Sequence, residues 1–504
     1  MPLETSPSPP ATSAPAAASR PEPAGASRMT TRAKLVLLVL CAAQFMVALD
    51  FSILNVALPV LGDDLGMSRA NLQWAVTAFA LPSGGFLLLF GRIADLYGRR
   101  RLFLAGLTLF TAASVLATFA WDPASFLAGR ALQGLGAAVI VPTGMSLLTT
   151  TFREGPQRER ALGISSTLMS LGFTIGMVLG GVMTDGLGWR STMGLLGVAG
   201  LAVLLLAPGL LTESLPHSLN GMGGTPIPDR PRLDLPGAAT VTGGLLALIY
   251  ALSTAAEGGF GRTDVIAALV AGVVLLAAFA VIESRTAEPL VNLSMLRRPT
   301  VAFGNLAGLT TFATMTAAIF LLTLYLQDVL HLSAFRTGLI FGVQGVVAVL
   351  AGTVASKVIA RFGTRTTLFA GLLGQAACTA LLLGIGRSSG AWLTLLAISL
   401  GVIGHLWAIV AYGVTATSGL PDGEQGLATG LVTSSQQIGI TIGIPLLSAL
   451  ASAYTATLRT DGEDAVGATL GGIRLGLGAD AAVVAAVAVL VAVGLRRRGA
   501  QGQP

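Results

Sequence analysis

Charge is scarce in this sequence. Of 504 residues only 11% are Asp, Glu, Lys or Arg, 53% are hydrophobic, and mean hydropathy is +0.78. A soluble chain of this length would have too little polar side chain to cover its surface. Cysteine is nearly absent: Cys41 and Cys378 fall in different apolar runs, as small core residues rather than a disulfide or a metal pair. Histidine occurs three times, and no segment has the spacing of a zinc site, an H-E-x-x-H helix or a Walker loop. No polar stretch is long enough to form an ATP-hydrolysing domain. The chain is therefore not expected to be an enzyme, and no cofactor or metal is implied. Its energy must come from an ion gradient or from the gradient of its own substrate.

What is abundant is apolar length. Runs of about 20 residues recur from Ala33 to Leu495, each able to cross roughly 30 Å of hydrocarbon. About fourteen spans are expected, at 33–60, 71–90, 102–121, 124–151, 161–186, 190–211, 235–255, 264–282, 300–326, 337–360, 367–386, 391–418, 427–454 and 477–495. The period is that of whole helices, without the ten-residue alternation of an outer-membrane barrel. The fold class is an all-α polytopic membrane protein.

The net charge of +6 is not a nucleic-acid signal, because its distribution follows the spans. Starting with the N-terminus inside, 22 of the 30 basic residues fall on the cytoplasmic side and seven outside, with Arg130 inside a span. Both termini are thus expected to be cytoplasmic, and the bilayer is the large partner. Residues 1–30, rich in Pro, Ala and Ser, read as a disordered tail, with the first span acting as an uncleaved signal. Arginine outnumbers lysine 28 to 2 and Ala and Gly abound, as in high-GC bacteria, so the expected site is a bacterial inner (plasma) membrane.

The chain contains an internal repeat. Ala161–Gly176 matches Ala428–Gly443 at an offset of 267, and Gly98–Leu107 matches Gly363–Leu372 at 265. The expected units are a six-helix bundle at 31–212, a cytoplasmic loop at 213–234, two inserted helices at 235–285, a second six-helix bundle at 286–498, and a short tail at 499–504. Parallel six-helix halves around a cavity suit an alternating-access carrier.

Four segments carry chemistry. In the first span, Leu49-Asp50-Phe51-Ser52-Ile53-Leu54-Asn55-Val56-Ala57-Leu58-Pro59 sets an acid roughly 24 Å from Lys34 and about 14 Å from Pro59. An acid inside a span costs roughly 2.5–3.5 kcal/mol on insertion scales and is functional by default. Between the second and third spans, Gly91-Arg-Ile-Ala-Asp95-Leu-Tyr-Gly98-Arg99-Arg100-Arg101 combines two glycines suited to a tight turn with an acid in a basic loop. Arg100 and Arg101 need do no more than anchor the inner side. In the fourth span, Arg130-Ala-Leu-Gln133-Gly134-Leu-Gly136 places Arg130 roughly 10 Å inward of Pro123, a depth that can reach Asp50. An Asp50–Arg130 contact would oppose protonation, which would then require the pair to part. The fifth span contains Gly172-Phe-Thr-Ile-Gly176-Met177-Val-Leu-Gly180-Gly181, whose glycines suit close helix packing.

These segments together resemble the major facilitator superfamily, in its fourteen-helix drug:proton antiporter branch, over Thr31–Arg498. The resemblance implies two six-helix bundles plus two inserted helices. It further implies proton coupling through Asp50 with Arg130 as modulator, and a gate at Gly91, Asp95, Gly98 and Arg99. In that gate Asp95 would dock on a helix N-terminus of the opposite half. Met177 stands where the antiporter pattern has proline, so the usual kink is not expected.

Candidate cavity-lining residues are Asn55, Gln133, Gln344, His405, Tyr412, Gln436 and Gln437; interhelical hydrogen bonding is the alternative for the polar groups of the second half. Asp185, at an outer helix end, is given no special role. The expected function is proton-coupled export of small hydrophobic or monocationic compounds such as drugs, dyes or secondary metabolites, by a monomer. The alternatives are a dedicated carrier of one endogenous metabolite, by uniport or symport, and a transporter-like sensor.

Overall fold

A computed structural model of the chain describes residues 29–68, 71–152, 156–212, 234–286, 293–418, 420 and 422–495. The expected tails and the expected loop at 213–234 lie largely outside the described residues. The helices of the first half are α1 (Thr31–Leu65), α2 (Leu72–Gly85), α3 (Leu87–Tyr97), α4 (Arg99–Thr118), α5 (Pro123–Thr151), α6 (Pro156–Leu187) and α7 (Arg190–Leu210). An inserted pair follows, α8 (Leu235–Gly258) and α9 (Thr263–Arg285). The second half comprises α10 (Pro299–Leu324), α11 (Ala334–Phe362), α12 (Thr364–Leu381), α13 (Trp392–Thr417), α14 (Asp422–Thr460) and α15 (Ala465–Gly494). Thirteen of these are long and apolar enough to span by themselves. The shorter α2 and α3 together make one further crossing, giving fourteen among the described residues.

The end of the bundle where α1 begins and α15 ends is called proximal, the other distal. The second span is interrupted at Phe86, directly after Gly84-Gly85 and one turn beyond Pro82, which α2 carries inside it. The carbonyl of Gly85 accepts the Thr242 hydroxyl of α8 at 2.7 Å. The last helix is longer than its expected 477–495, beginning at Ala465. Arg474 lies within it as an exposed residue, with its Nε donating to Ile385 O at 2.8 Å, so the charge has a carbonyl partner where it sits on the helix. α6 runs through Met177 unbroken, as expected without the proline.

The internal repeat is visible in how helices interlock. Cβ atoms added at Gly106 and Gly136 would meet each other's carbonyl at 3.1 and 2.9 Å, joining α4 to α5. Gly371 and Gly404 join α12 to α13 in the same way, at 2.6 and 2.5 Å. Gly172 faces Phe45 O and Gly176 faces Leu49 O, at 2.8 and 2.9 Å, seating α6 on α1. Gly439 and Gly443 face Leu309 O and Ala313 O and seat α14 on α10. Without a hydrophobic drive between helices in lipid, such backbone approach supplies the van der Waals energy of association.

The turns repeat as well. Gly98 and Gly363 have φ of 106° and 80°, a left-handed region open to glycine, and each starts the next helix. Arg100 then donates to Pro208 O at 2.8 Å near the end of α7, and Arg365 to Ala492 O at 3.0 Å near the end of α15. Arg100 therefore ties α4 to a helix C-terminus, a role beyond charge anchoring.

The two halves meet along two seams. At the first, α6 packs on α11: Gly181 lies against Ala334 O and Gly338 against Met177 O, each at 2.6 Å from an added Cβ. At the second, α2 packs on α14, where the Thr441 hydroxyl reaches Ala80 O at 3.2 Å. The inserted α8 lies over this second seam. Gln73 of α2 donates to Ser253 O of α8 at 2.7 Å and accepts the Ser448 hydroxyl of α14.

Candidate functional site

α1, α2, α4 and α5 converge on a polar cluster deep in the first half. Asp50 is 0% exposed and Arg130 1% exposed. Arg130 Nη1 donates to Asp50 Oδ1 at 2.6 Å and Oδ2 at 2.9 Å, and also to Gln133 Oε1 at 2.9 Å. Its Nε donates to Ala75 O of α2 at 3.1 Å. Gln133 Nε2 passes the chain on to the Ser114 hydroxyl of α4 at 2.8 Å, and Ser114 donates to Phe110 O at 2.7 Å. The guanidinium lies over the Phe79 ring at 4.6 Å, and Phe79 packs edge-on to Phe51. One charged pair thus ties α1 to α5 and α2, in surroundings where an unpaired charge would be costly.

The equivalent place in the second half has lost that chemistry. The interlocking glycines set Thr314 at the place of Asp50, Ile398 at that of Arg130, Gly401 at that of Gln133 and Thr379 at that of Ser114. In their stead is an uncharged network. Gln375 Nε2 donates to Thr314 Oγ1 at 3.0 Å, and the Thr311 hydroxyl reaches Gln375 Oε1 at 2.5 Å and His405 Nδ1 at 2.9 Å. A cavity of about 20 Å³, about one water in size, adjoins Gln344, Gln375, Thr379, Ile398 and Gly401.

The remaining candidates fall in varied places. Gln344 lines that small cavity, whereas Gln133 belongs to the Arg130 cluster. Asn55 Nδ2 donates to Phe51 O at 2.8 Å within its own helix, and its buried Oδ1 has no hydrogen-bond partner among the described residues. His405 packs edge-on against Phe312, which also meets Tyr412; a side chain at Gly308 would strike the Tyr412 ring. Gln436 and Gln437 are half-buried on α14. Gly180 faces Ile53 O, completing the α1 contact of the glycine motif, while Gly181 turns to the other half. Gly91 lies 3.6 Å from Pro142 for an added Cβ, and Arg99 opens α4. Asp95 is within α3, but its side chain, and with it the expected docking, lies outside the described residues.

Sequence reasoning passed over two acids. Asp185, at the distal end of α6, accepts the Phe335 amide at 3.0 Å and so holds the first turn of α11 across the first seam. Its expected lack of a role is corrected: helix N-terminal amides and an acid form a favourable pair. An open distal cavity of about 580 Å³ lies beside it, lined from both halves by Asp63, Asp185, Gln327, Asp328, His331 and Arg459 among others. Gln327 crosses between halves to donate to Val56 O at 2.8 Å. The second overlooked acid, Asp480, is buried in α15. The signal that singled out Asp50, an acid within an apolar run, applies equally to Asp480.

The chain matches the model of the Major Facilitator Superfamily over residues 40–444. It is 37% identical to a cephamycin export protein of Amycolatopsis lactamdurans over 86% of this chain and 88% of that one. It is 35% identical to a puromycin resistance protein of Streptomyces alboniger, over 91% and 89%. Among solved structures, a POT family peptide transporter aligns with a TM-score of 0.70 at 15% identity, covering 93% of this chain and 99% of that one. A bacterial homologue of the lysosomal transporter Spinster, in an inward-facing state, aligns with a TM-score of 0.64 at 15% identity, over 94% and 99%. At that identity the structures speak for the fold alone. With its duplicated six-helix halves and a family match across most of its length, the chain belongs to the Major Facilitator Superfamily.

Proposed function

We propose that this protein is a proton-coupled efflux transporter of a bacterial plasma membrane, exporting small hydrophobic or monocationic compounds by alternating access. The observation that carries the proposal is the buried Asp50–Arg130 pair. Protonating Asp50 removes the charge that binds Arg130. Arg130 keeps its bonds to Gln133 and Ala75 O, on α5 and α2, while α1 is freed from them. α1 is seated on α6 through Gly172, Gly176 and Gly180, and α6 contacts the other half through α11. A proton at Asp50 therefore acts on the seam along which the halves must move.

In this reading the proximal end is cytoplasmic, as the arginine distribution favours. The units 31–212 and 286–498 are the bodies that rock, within one monomer. Gly91, Asp95, Gly98 and Arg99 form the cytoplasmic gate, with Asp95 as its latch. Asp185 and the first turn of α11 form a latch at the opposite end. Asp185→Ala is expected to weaken distal closure by about 0.5–1 kcal/mol, a few-fold shift in population. Spin labels at the exposed Leu187 and Leu339 would read this as a larger long-distance population; an unchanged distribution would remove the latch.

The deciding experiment is ethidium efflux from preloaded cells carrying empty vector, wild type or Asp50→Asn at matched expression, with and without protonophore. Efflux that requires both Asp50 and the proton gradient is the expected result. The relatives, one a cephamycin export protein and one a puromycin resistance protein, favour a second reading, a carrier dedicated to a single compound. No ethidium efflux above vector from well-expressed protein would select it.

A further inference from the structure

Asp480 stands near the middle of α15, about 22 Å along the helix from Ala465 and about 21 Å from Gly494. It is 0% exposed, and neither carboxyl oxygen has a hydrogen-bond partner among the described residues. The Thr379 hydroxyl of α12 lies beside the carboxyl, short of hydrogen-bond geometry. Thr379 is the second-half counterpart of Ser114, and it lines the one-water cavity with Gln344 and Gln375. Each half therefore holds one buried acid inside a span, Asp50 on α1 and Asp480 on α15, on helices that are not counterparts in the repeat. In the first half an arginine reaches the acid; in the second, isoleucine stands where that arginine would be.

Among the described residues, no cation approaches Asp480 from the elements packed on α15. α10 contains no charged residue. On α12, Arg365 is engaged with Ala492 O near the proximal end, and the neighbouring Cys378 is a free thiol. On α14, Arg459 lines the distal cavity and Tyr454 faces Gly471. In the turn after α10, Asp328 lines the same cavity and the Tyr325 hydroxyl donates to Gly386 O at 2.9 Å. Arg474, on α15 itself, is bound to Ile385 O. A carboxylate at Asp480 would be an uncompensated buried charge, whereas a carboxylic acid needs no counter-ion. Thr379 connects the carboxyl to the small, mostly apolar cavity, whose polar groups are Gln344, Gln375 and Thr379 itself.

We propose that Asp480 is a second proton-binding carboxyl of the carrier, so that each six-helix half holds one. In the conformation described Asp50 is ion-paired and Asp480 is neutral; Asp480 gives up its proton when the second half opens its cavity to water. A coupling role for Asp480 presupposes the proton-coupled transport proposed above, but its protonation does not.

Two measurements separate the two. The first is the infrared carbonyl absorption of protonated carboxyls in the purified full-length protein at neutral and alkaline pH. Wild type is expected to show a buried-acid band at neutral pH that persists in Asp50→Asn, vanishes in Asp480→Asn and returns in Asp480→Glu. A wild-type spectrum without that band, or an Asp480→Asn spectrum that retains it, overturns the proposal. Should Asp480→Asn fail to fold, wild type alone decides through dicyclohexylcarbodiimide, which modifies protonated carboxyls in apolar surroundings. Peptide mapping is expected to find the adduct on Asp480, and an unmodified Asp480 overturns the proposal.

The second measurement is ethidium accumulation in proteoliposomes with the membrane potential clamped. Per tenfold proton gradient, the accumulation ratio is expected to fall from about 100-fold in wild type to about 10-fold in Asp480→Asn, one proton fewer. An unchanged ratio overturns the coupling role. A wild type indifferent to the gradient sinks the proton-coupled reading and the coupling role with it; the infrared band still decides whether Asp480 holds a proton.

Discussion

Arg130→Leu is expected to lower the stability of the solubilised protein by about 3–5 kcal/mol, the largest loss from any single side chain in the first half. The reason is the charge left behind. Asp50 is wholly buried and its carboxylate accepts Arg130 Nη1 with both oxygens, so removing the guanidinium strands an anion among α1, α2 and α5. The substitution also uncaps Ala75 O and Gln133 Oε1, which lose donors at 3.1 and 2.9 Å. Adding Asp50→Asn removes the stranded charge and is expected to recover most of the loss. Thermal unfolding of wild type, both single variants and the double variant closes the cycle. A coupling energy near zero would mean that the two side chains touch without depending on each other. Under the coupling role proposed for Asp50, efflux should not follow stability here: the double variant is expected to fold and yet to lose the proton step of α1.

Much of the architecture was legible because bilayer thickness imposes a length that apolar composition reveals directly. The repeat was legible because glycines that let backbones touch recur at fixed offsets, and the structure places Gly172 and Gly439 on corresponding carbonyls. Asp50 and Arg130 could be paired from helix rise alone, since both depths were countable from the span ends. Other features depend on neighbours that no local pattern reveals. α15 begins well before the expected 477 and takes in Arg474, whose charge finds its partner at Ile385 O, a contact that no local pattern shows. Asp185 looks like a surface acid until the first turn of α11 is found opposite. Nor does the sequence of the inserted pair disclose that α8 lies over the seam of α2 and α14, because Gln73 could have bonded to any nearby carbonyl. Asp480 differs again: as an acid within an apolar run it carries the signal that marks Asp50, but it belongs to no recognisable motif, and its burial without a partner emerges only from the fold.

Gly443→Ala is expected to cost about 3 kcal/mol or more, or to abolish folded expression, although the substitution adds one methyl group. In an isolated helix the same change is favourable by roughly 0.5–1 kcal/mol, because alanine has the better helix propensity. The sign is reversed by position. A Cβ at Gly443 would collide with the carbonyl of Ala313, and backbone cannot rotate aside as a flexible side chain would. Relief requires α14 to separate from α10, forfeiting contact along the whole interface in a medium where packing is the main force between helices. Gly413, on α13, provides the control: an added Cβ there meets nothing within 4 Å, so Gly413→Ala should be neutral or mildly stabilising. Comparing the folded yield and melting temperature of the two variants separates close approach from propensity. If both behave alike, the interlocking glycines do not hold the second half together, and the α1–α6 seat built on Gly172 and Gly176 loses its parallel as well. That seat is what would convert a proton on Asp50 into movement at α11, so the outcome at Gly443 bears on the transport cycle as well as on the fold.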